Sequence, residues 1–181
     1  GSRSEQVIEL MHTQNIKPNF NFSFQYRLIN APGFFKNQKT NHNNYLFTSR
    51  YESVNKRYNA YLVLLGNKLQ SGENGGIEDS ALADPDLKDR FNITTKLGGD
   101  QAESRSFFST VVGTGNRYSE FTILLRQQYD FGKKDSIVTD STVVPLFFPR
   151  LRFEHTLQYS SRKYEFRDYI GDSFYYKTNY D

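Results

Sequence analysis

The stretch NFNFSFQYRL, residues 19–28, decides the fold, because polar and apolar side chains alternate along it without an error. In an extended strand, every second side chain points to the same face. One face would therefore carry Phe20, Phe22, Phe24, Tyr26 and Leu28. A helix would scatter this set around its circumference, so the period of two predicts a β-strand over Asn19–Asn30.

Similar alternation along the rest of the sequence predicts an all-β chain. We predict further strands over Gln6–Gln14, Tyr45–Ser53, Tyr58–Lys68, Ser106–Val112, Tyr118–Gly132 and Pro149–Ser161, with shorter strands at Lys163–Asp168 and Ser173–Lys177. Short turns are expected at Asn15–Pro18, Asn55–Arg57 and Gly113–Asn116, and longer polar loops at Ala31–Asn44, residues 70–105 and Lys133–Thr142. These connections predict a single antiparallel up-and-down meander over residues 1–181, in which Gly1–Ser2 resembles a cloning scar.

The composition favours strands and excludes several kinds of site. The chain holds 13 Tyr and 16 Phe, residues that suit the half-buried surface of a strand. It holds no Cys, which excludes disulfides, thiolate zinc sites and thiol nucleophiles. Its 23 basic and 20 acidic residues leave a formal net charge of +3, which is too balanced to indicate nucleic-acid binding.

Strand length favours a membrane over a soluble core. A membrane-crossing β-strand needs roughly 9–11 residues, whereas strands of soluble proteins mostly have about 5 or 6. Asn19–Asn30, Tyr118–Gly132 and Pro149–Ser161 meet the membrane length and keep one face apolar. We therefore predict a transmembrane β-barrel or part of one. The tyrosines at strand ends that would suit its interfacial girdles are Tyr26, Tyr45, Tyr58, Tyr118 and Tyr159. The alternative is a soluble β-sandwich or open sheet, which explains the two unlike faces but not the strand lengths.

Three short runs resemble one family. ELMHTQNI (residues 9–16), YRLINAPG (residues 26–33) and GENGGI (residues 72–77) are similar to segments of the putative porins of Bacteroidetes bacteria. The resemblance has some specificity over about the first half of the chain. The second half shares only the general pattern of strands and turns. It implies an outer-membrane β-barrel longer than this chain, and Asp181 stands where such barrels typically carry a terminal aromatic residue. We therefore expect an internal segment whose sheet has two free edges, at which another copy could associate.

No residue constellation points to catalysis, so we predict a non-enzymatic protein without a cofactor or metal. His12, His42 and His155 are widely spaced and lack a neighbouring carboxylate pattern. GTG at residues 113–115 lacks the third glycine of a dinucleotide-binding fingerprint, and SGENGG at residues 71–76 lacks the carboxylate spacing of an EF-hand loop. The runs Asp79–Ala81, Asp135–Ile137 and Asp140–Thr142 resemble the O-glycosylation sequon of Bacteroidetes envelope proteins, and all three fall in predicted outer loops.

The functional hypothesis concerns the polar faces of the predicted strands. In a barrel these faces would line a lumen suited to passive diffusion of small hydrophilic solutes, with arginines favouring anions. The predicted pore-lining residues are Gln25, Arg27, Arg50, Glu52, Arg126, Arg152 and Glu154. This hypothesis implies a bacterial outer-membrane location, with membrane lipid rather than nucleic acid as the partner. The alternative is a soluble envelope β-sheet module that binds a glycan or a protein through its long loop.

Overall fold

The computed structural model describes residues 5–83, 93–99, 112–139, 141–169, 171 and 173–180. Its elements are, in chain order, β1 Gln6–Lys17, β2 Phe20–Ala31, β3 Thr40–Glu52, β4 Tyr58–Gly72, α1 Asp79–Leu82, β5 Thr114–Thr139, β6 Thr142–Asp168 and α2 Ser173–Tyr180. Among these residues, no helix is long and apolar enough to cross a membrane.

The six strands pair in chain order, and every neighbouring pair is antiparallel. This arrangement confirms the predicted all-β up-and-down meander. β1 and β6 form the edges of the single sheet, which is not closed within the described part of the chain. An open sheet of this kind is consistent with part of a barrel.

The connections alternate between short and long. The β1–β2, β3–β4 and β5–β6 connections lie at one end of the sheet, here named the short-turn end. The β2–β3 and β4–β5 connections lie at the opposite end, here named the long-loop end. Outer-membrane barrels show the same asymmetry between their two sides.

Several strands run further than their sequence predicts, β1 and β3 among them. β1 continues to Lys17, so the predicted turn Asn15–Pro18 shrinks to residues 18–19, after a register shift at Ile16. β3 begins at Thr40, inside the predicted polar loop Ala31–Asn44. The asparagines that open β3 pair with β2 on one side and with β4 on the other, and these two ladders hold them extended despite their low strand propensity.

The predicted hairpin turn at Gly113–Asn116 is wrong. Thr114 already belongs to β5 and pairs with Asp168, and its hydroxyl donates a hydrogen bond of 2.8 Å to the carboxylate of that residue. Glycine and asparagine are common in turns, but here the pairing with β6 determines the conformation.

The predicted loop Lys133–Thr142 is also wrong, because β5 and β6 continue as a paired hairpin as far as Thr139 and Thr142. Lys134 is paired with Phe147, and the guanidinium of Arg57 lies over the ring of Phe147 at 4.4 Å. The apolar partners of this stretch are the first residues of β6, on the other arm of the hairpin. The hairpin consequently extends past the other strands at the short-turn end.

The predicted strand Ser173–Lys177 belongs to helix α2. Its aromatic residues favour a strand by propensity, but the hydroxyl of Tyr176 donates a hydrogen bond of 2.9 Å to Asp168 and fixes the segment against the end of β6. The predicted strand Ser106–Val112 lies outside the described residues except for Val112.

Most buried side chains in the described residues lie at the long-loop end. They include Leu28, Asn37, Asn41, Gln70, Ile93, Thr95, Leu97, Val112 and Thr114. Asn37 adopts a left-handed backbone conformation with φ 58°. Its side-chain amide donates hydrogen bonds to the hydroxyl of Thr95 at 3.0 Å and to the carbonyl of Leu97 at 2.9 Å. The two loops therefore pack together over this end of the sheet.

Candidate functional site

The pairing register shows which side chains share a face of the sheet, because directly paired residues point to the same side. The aromatic face is defined by the row His12, Phe24, Phe47, Leu64, Ile123 and Tyr159. The polar face is defined by the row Glu9, Arg27, Asn44, Asn67, Glu120 and Arg162, here named the polar row.

All the predicted pore-lining residues lie on the polar face. They are Gln25 and Arg27 of β2, Arg50 and Glu52 of β3, Arg126 of β5, and Arg152 and Glu154 of β6. The structure thus brings these side chains from four strands to one side of the sheet. Their contact with a water-filled lumen stays a prediction.

The aromatic face carries an apolar belt that no second layer covers in the described part of the chain. Phe24 is 37% exposed in an inner strand, and Phe153 is 65% exposed in the edge strand β6. Tyrosines bound the belt at both ends. They are Tyr26 and Tyr45 toward the long-loop end, and Tyr51, Tyr58 and Tyr129 toward the short-turn end.

Two of the predicted girdle tyrosines lie elsewhere. Tyr159 pairs with Ile123 in the middle of the belt. Tyr118 lies on the polar face, two residues from Glu120. The predicted strand begins at Tyr118, whereas β5 begins four residues earlier, at Thr114.

The polar row crosses the whole sheet, with hydrogen bonds between many of its members. Asn44 donates to the side-chain oxygen of Asn67 at 2.6 Å, and Asn67 donates to Glu120 at 3.2 Å. Arg162 donates to the other carboxylate oxygen of Glu120 at 3.1 Å. At the β1 edge, the guanidinium of Arg27 lies 3.9 Å from the carboxylate of Glu9. These contacts, several of them charge-assisted, hold the row in one arrangement.

Every arginine among the predicted pore-lining residues has an acidic neighbour. The ion pairs are Arg27–Glu9 at 3.9 Å, Arg50–Glu52 at 3.5 Å, Arg126–Glu154, and Arg152–Asp130 at 2.7 Å. The carboxylates offset the positive charge locally. Each of these arginines therefore has part of its positive charge offset by a carboxylate on the same face, and the expected bias toward anions stays a prediction.

Sequence reasoning did not select Glu9, Glu120, Asp130 and Arg162 as site residues. Spacing in steps of two from Arg126 already assigns Glu120 and Asp130 to the polar face of β5. The identity of the ion partners depends on the cross-strand register, which spacing within one strand does not contain.

The polar face has an apolar middle. Leu46 of β3 pairs with Leu65 of β4, and Val63 of β4 pairs with Leu124 of β5. This apolar patch separates the polar row from the charged residues near the short-turn end. The polar face consequently has two polar zones rather than one continuous lining.

The histidines are dispersed in the structure as they are in the sequence. His12 and His155 lie on the aromatic face at opposite edges of the sheet, and His42 lies on the polar face, where its Nε2 atom is 3.5 Å from Asn67. Within the residues described, no group of three or more His, Cys, Asp or Glu could hold a metal ion.

The sequon-like runs do not all lie in loops on one side of the sheet. Asp79–Ala81 opens α1 at the long-loop end, whereas Asp135–Ile137 is paired inside β5 near the short-turn end. Asp140 lies outside the described residues, and Thr142 begins β6. The expectation of three outer-loop sites is wrong because the β5–β6 hairpin is longer than predicted.

Aromatic and charged groups also meet at the long-loop end, where Tyr169 follows β6. Arg167 donates a hydrogen bond of 3.3 Å to its hydroxyl, and the guanidinium of Arg117 lies 5.4 Å from its ring centroid. The hydrogen bond from Arg167, followed by the charge of Arg117, lowers the pKa of the Tyr169 phenol. Two arginines thus contact Tyr169 just after β6, and Arg167 is also paired with Glu165 at 2.7 Å.

Comparison with known protein families identifies the family of this chain. The family model described as "Putative porin" matches residues 1–181, the full length of the chain. The chain belongs to the putative porin family. No curated protein and no solved structure matches it significantly. Membership of the putative porins supports a porin-like, non-enzymatic role in general, and it agrees with the long antiparallel strands and two unlike faces of this sheet.

Proposed function

We propose that this chain forms part of the wall of an outer-membrane β-barrel through which small hydrophilic solutes diffuse passively. The polar face would line the lumen, and the aromatic face would contact the lipid acyl chains. The observation that carries the proposal is the register, which places the polar row and all the predicted pore-lining residues on the face opposite an apolar belt that the described residues leave uncovered.

The height of the apolar belt supports this orientation. On β5 the belt runs from Phe121 to Phe131. Ten residue steps at about 3.3 Å each span about 33 Å along the strand. A strand tilted by about 40° would cover roughly 25 Å of membrane thickness, the height of the apolar band on outer-membrane barrels.

The boundaries of the apolar belt also support this orientation of the two faces. On the aromatic face, the first row beyond Tyr26 and Tyr45 changes from apolar to largely polar. That row comprises Ile8, Leu28, Asn43, Lys68, Ser119 and Lys163. Tyrosine is favoured where an apolar layer meets water, since its ring suits the apolar side and its hydroxyl suits the wet side. A soluble sandwich would need a second layer over this belt.

Planar lipid bilayers test the proposal directly with the full-length protein. We expect the wild-type protein to conduct, and the double variant Arg27→Glu/Arg152→Glu to shift ion selectivity toward cations. The matched control Lys68→Glu introduces a carboxylate on the other face of the sheet and should leave selectivity nearly unchanged. The milder pair Arg27→Gln/Arg152→Gln should shift selectivity in the same direction if the glutamate variant does not fold. Absence of conductance, or an ion selectivity that stays the same when Arg27 and Arg152 are replaced, would overturn the proposal.

A further inference from the structure

The polar face carries an aromatic pair at the long-loop end that lipid contact does not explain. Tyr118 of β5 and Tyr164 of β6 are direct cross-strand partners, with ring centroids 4.5 Å apart and ring planes tilted by 38°. Leu69 occupies the same row on β4. Tyr164 is 77% exposed, although its face is the one assigned to water. An exposed aromatic ring at such a place is available to a ligand.

These rings border a cavity with a volume of about 390 Å³. The side chains and backbone that line it include Leu69, Ser71, Asn116, Tyr118, Tyr164 and Phe166. A volume of this order falls within the range of small-ligand sites, which combine a mostly apolar lining with a few placed polar groups.

The polar groups stand immediately beside the aromatic pair. The hydroxyl of Tyr118 donates a hydrogen bond of 3.0 Å to Glu120, which also accepts from Asn67 and Arg162. The Glu120 side chain is 14% exposed, whereas that of Arg162 is 62% exposed. The network holds the Tyr118 ring in place and leaves the Arg162 guanidinium accessible from the lumen side. The aromatic surface and the hydrogen-bonding groups are therefore fixed relative to each other.

We propose that the cavity bordered by Tyr118 and Tyr164 binds a neutral sugar ring of an oligosaccharide on its way through the pore. The proposal rests on the function proposed above and names the solute class. One side of a pyranose ring presents C–H groups that pack on an aromatic face, while its hydroxyls exchange hydrogen bonds with amides and guanidinium groups. Tyr164 supplies the exposed ring, and the cavity lining supplies the hydroxyl of Ser71 and the amide of Asn116.

Isothermal titration calorimetry of the full-length protein in detergent tests this site, with maltotriose and cellotriose as probes. We expect Tyr164→Ala to weaken binding about tenfold, as loss of one stacking contact would. Tyr164→Phe keeps the ring and should keep the affinity. The matched control is Tyr159→Ala on the same strand, which removes a similarly exposed tyrosine from the aromatic face and should leave binding unchanged.

The outcomes separate this inference from the proposed function. If the protein conducts ions but binds neither trisaccharide, the pore is retained and the sugar site is overturned. The same conclusion follows if Tyr164→Ala binds the trisaccharides as tightly as the wild type. Binding that depends on Tyr164 in a protein without conductance supports the sugar site and overturns the pore. Loss of binding in Tyr159→Ala as well would trace the effect to folding and contradict the site.

Discussion

Arg152 and Asp130 are direct partners on the polar face, and the guanidinium of Arg152 donates two hydrogen bonds, of 2.7 and 3.0 Å, to the carboxylate of Asp130. The Asp130 side chain is 8% exposed, and the Arg152 side chain is 55% exposed. The carboxylate is therefore enclosed, while the guanidinium that binds it stays in contact with solvent. The charge that this pair presents to a solute is that of Arg152.

Removing the acid of this pair should change ion selectivity. Asp130→Asn leaves the guanidinium of Arg152 without its counter-charge, so we expect the reversal potential in a salt gradient to shift toward anion preference. Asp135→Asn removes the same charge from the projecting β5–β6 hairpin and serves as the control. No shift with Asp130→Asn, or an equal shift with both variants, would contradict a lumen lined by the polar face.

Gly66 and Tyr45 should show strong energetic coupling. They are cross-strand partners, and a Cβ added to Gly66 would lie 2.0 Å from Cζ of the Tyr45 ring. Gly66→Val should cost about 1–3 kcal/mol of unfolding free energy, because the ring must leave its place. In Tyr45→Ala the same valine should cost much less. A double-mutant cycle by urea unfolding in lipid vesicles measures this coupling, and simple additivity would show that the ring does not occupy the glycine position.

Gly132 marks the register shift at which the β5–β6 hairpin leaves the sheet. A Cβ there would lie 2.1 Å from the backbone carbonyl oxygen of Phe148, which cannot move aside as a side chain can. Gly132→Ala should therefore speed amide hydrogen exchange over residues 133–148. Gly113→Ala has open space around its Cβ and should leave that exchange rate as in the wild type. Equal protection in the two variants would contradict the close approach.

Asn37 should stabilise the packing of the two loops through its side-chain amide and its backbone conformation together. Asn37→Gly permits the φ of 58° but removes the hydrogen bonds to Thr95 and Leu97, and should cost about 1–3 kcal/mol. Asn37→Ala removes the bonds and also strains the backbone, so it should cost more. Limited proteolysis near residues 93–99 ranks the variants. Equal cleavage of the wild type and Asn37→Gly would exclude a role for the amide.

The sequence correctly predicted the features that depend on alternation within one strand, such as the face on which a side chain lies. The stretch NFNFSFQYRL assigned Phe24 and Arg27 to opposite faces, and the register confirms that assignment. It failed where structure depends on pairing between two segments. Lys133–Thr142 is largely polar by itself, but its residues pair with the apolar first segment of β6 and are held as a strand. The pairing of Arg152 with Asp130 likewise follows from the register of two strands and not from the spacing in either.

Accessibility of single cysteines tests the central claim most directly, because the chain contains no cysteine of its own. The aromatic-face positions are Phe47, Leu64 and Ile123, and the polar-face positions are Arg50, Asn67 and Arg126. In lipid vesicles, cysteines at the polar-face positions should react with a charged, membrane-impermeant thiol reagent. Fluorophores attached at the aromatic-face positions should instead be quenched by lipids labelled on their acyl chains. Equal reactivity on both faces, or the reverse assignment, would contradict a sheet that separates lipid from water.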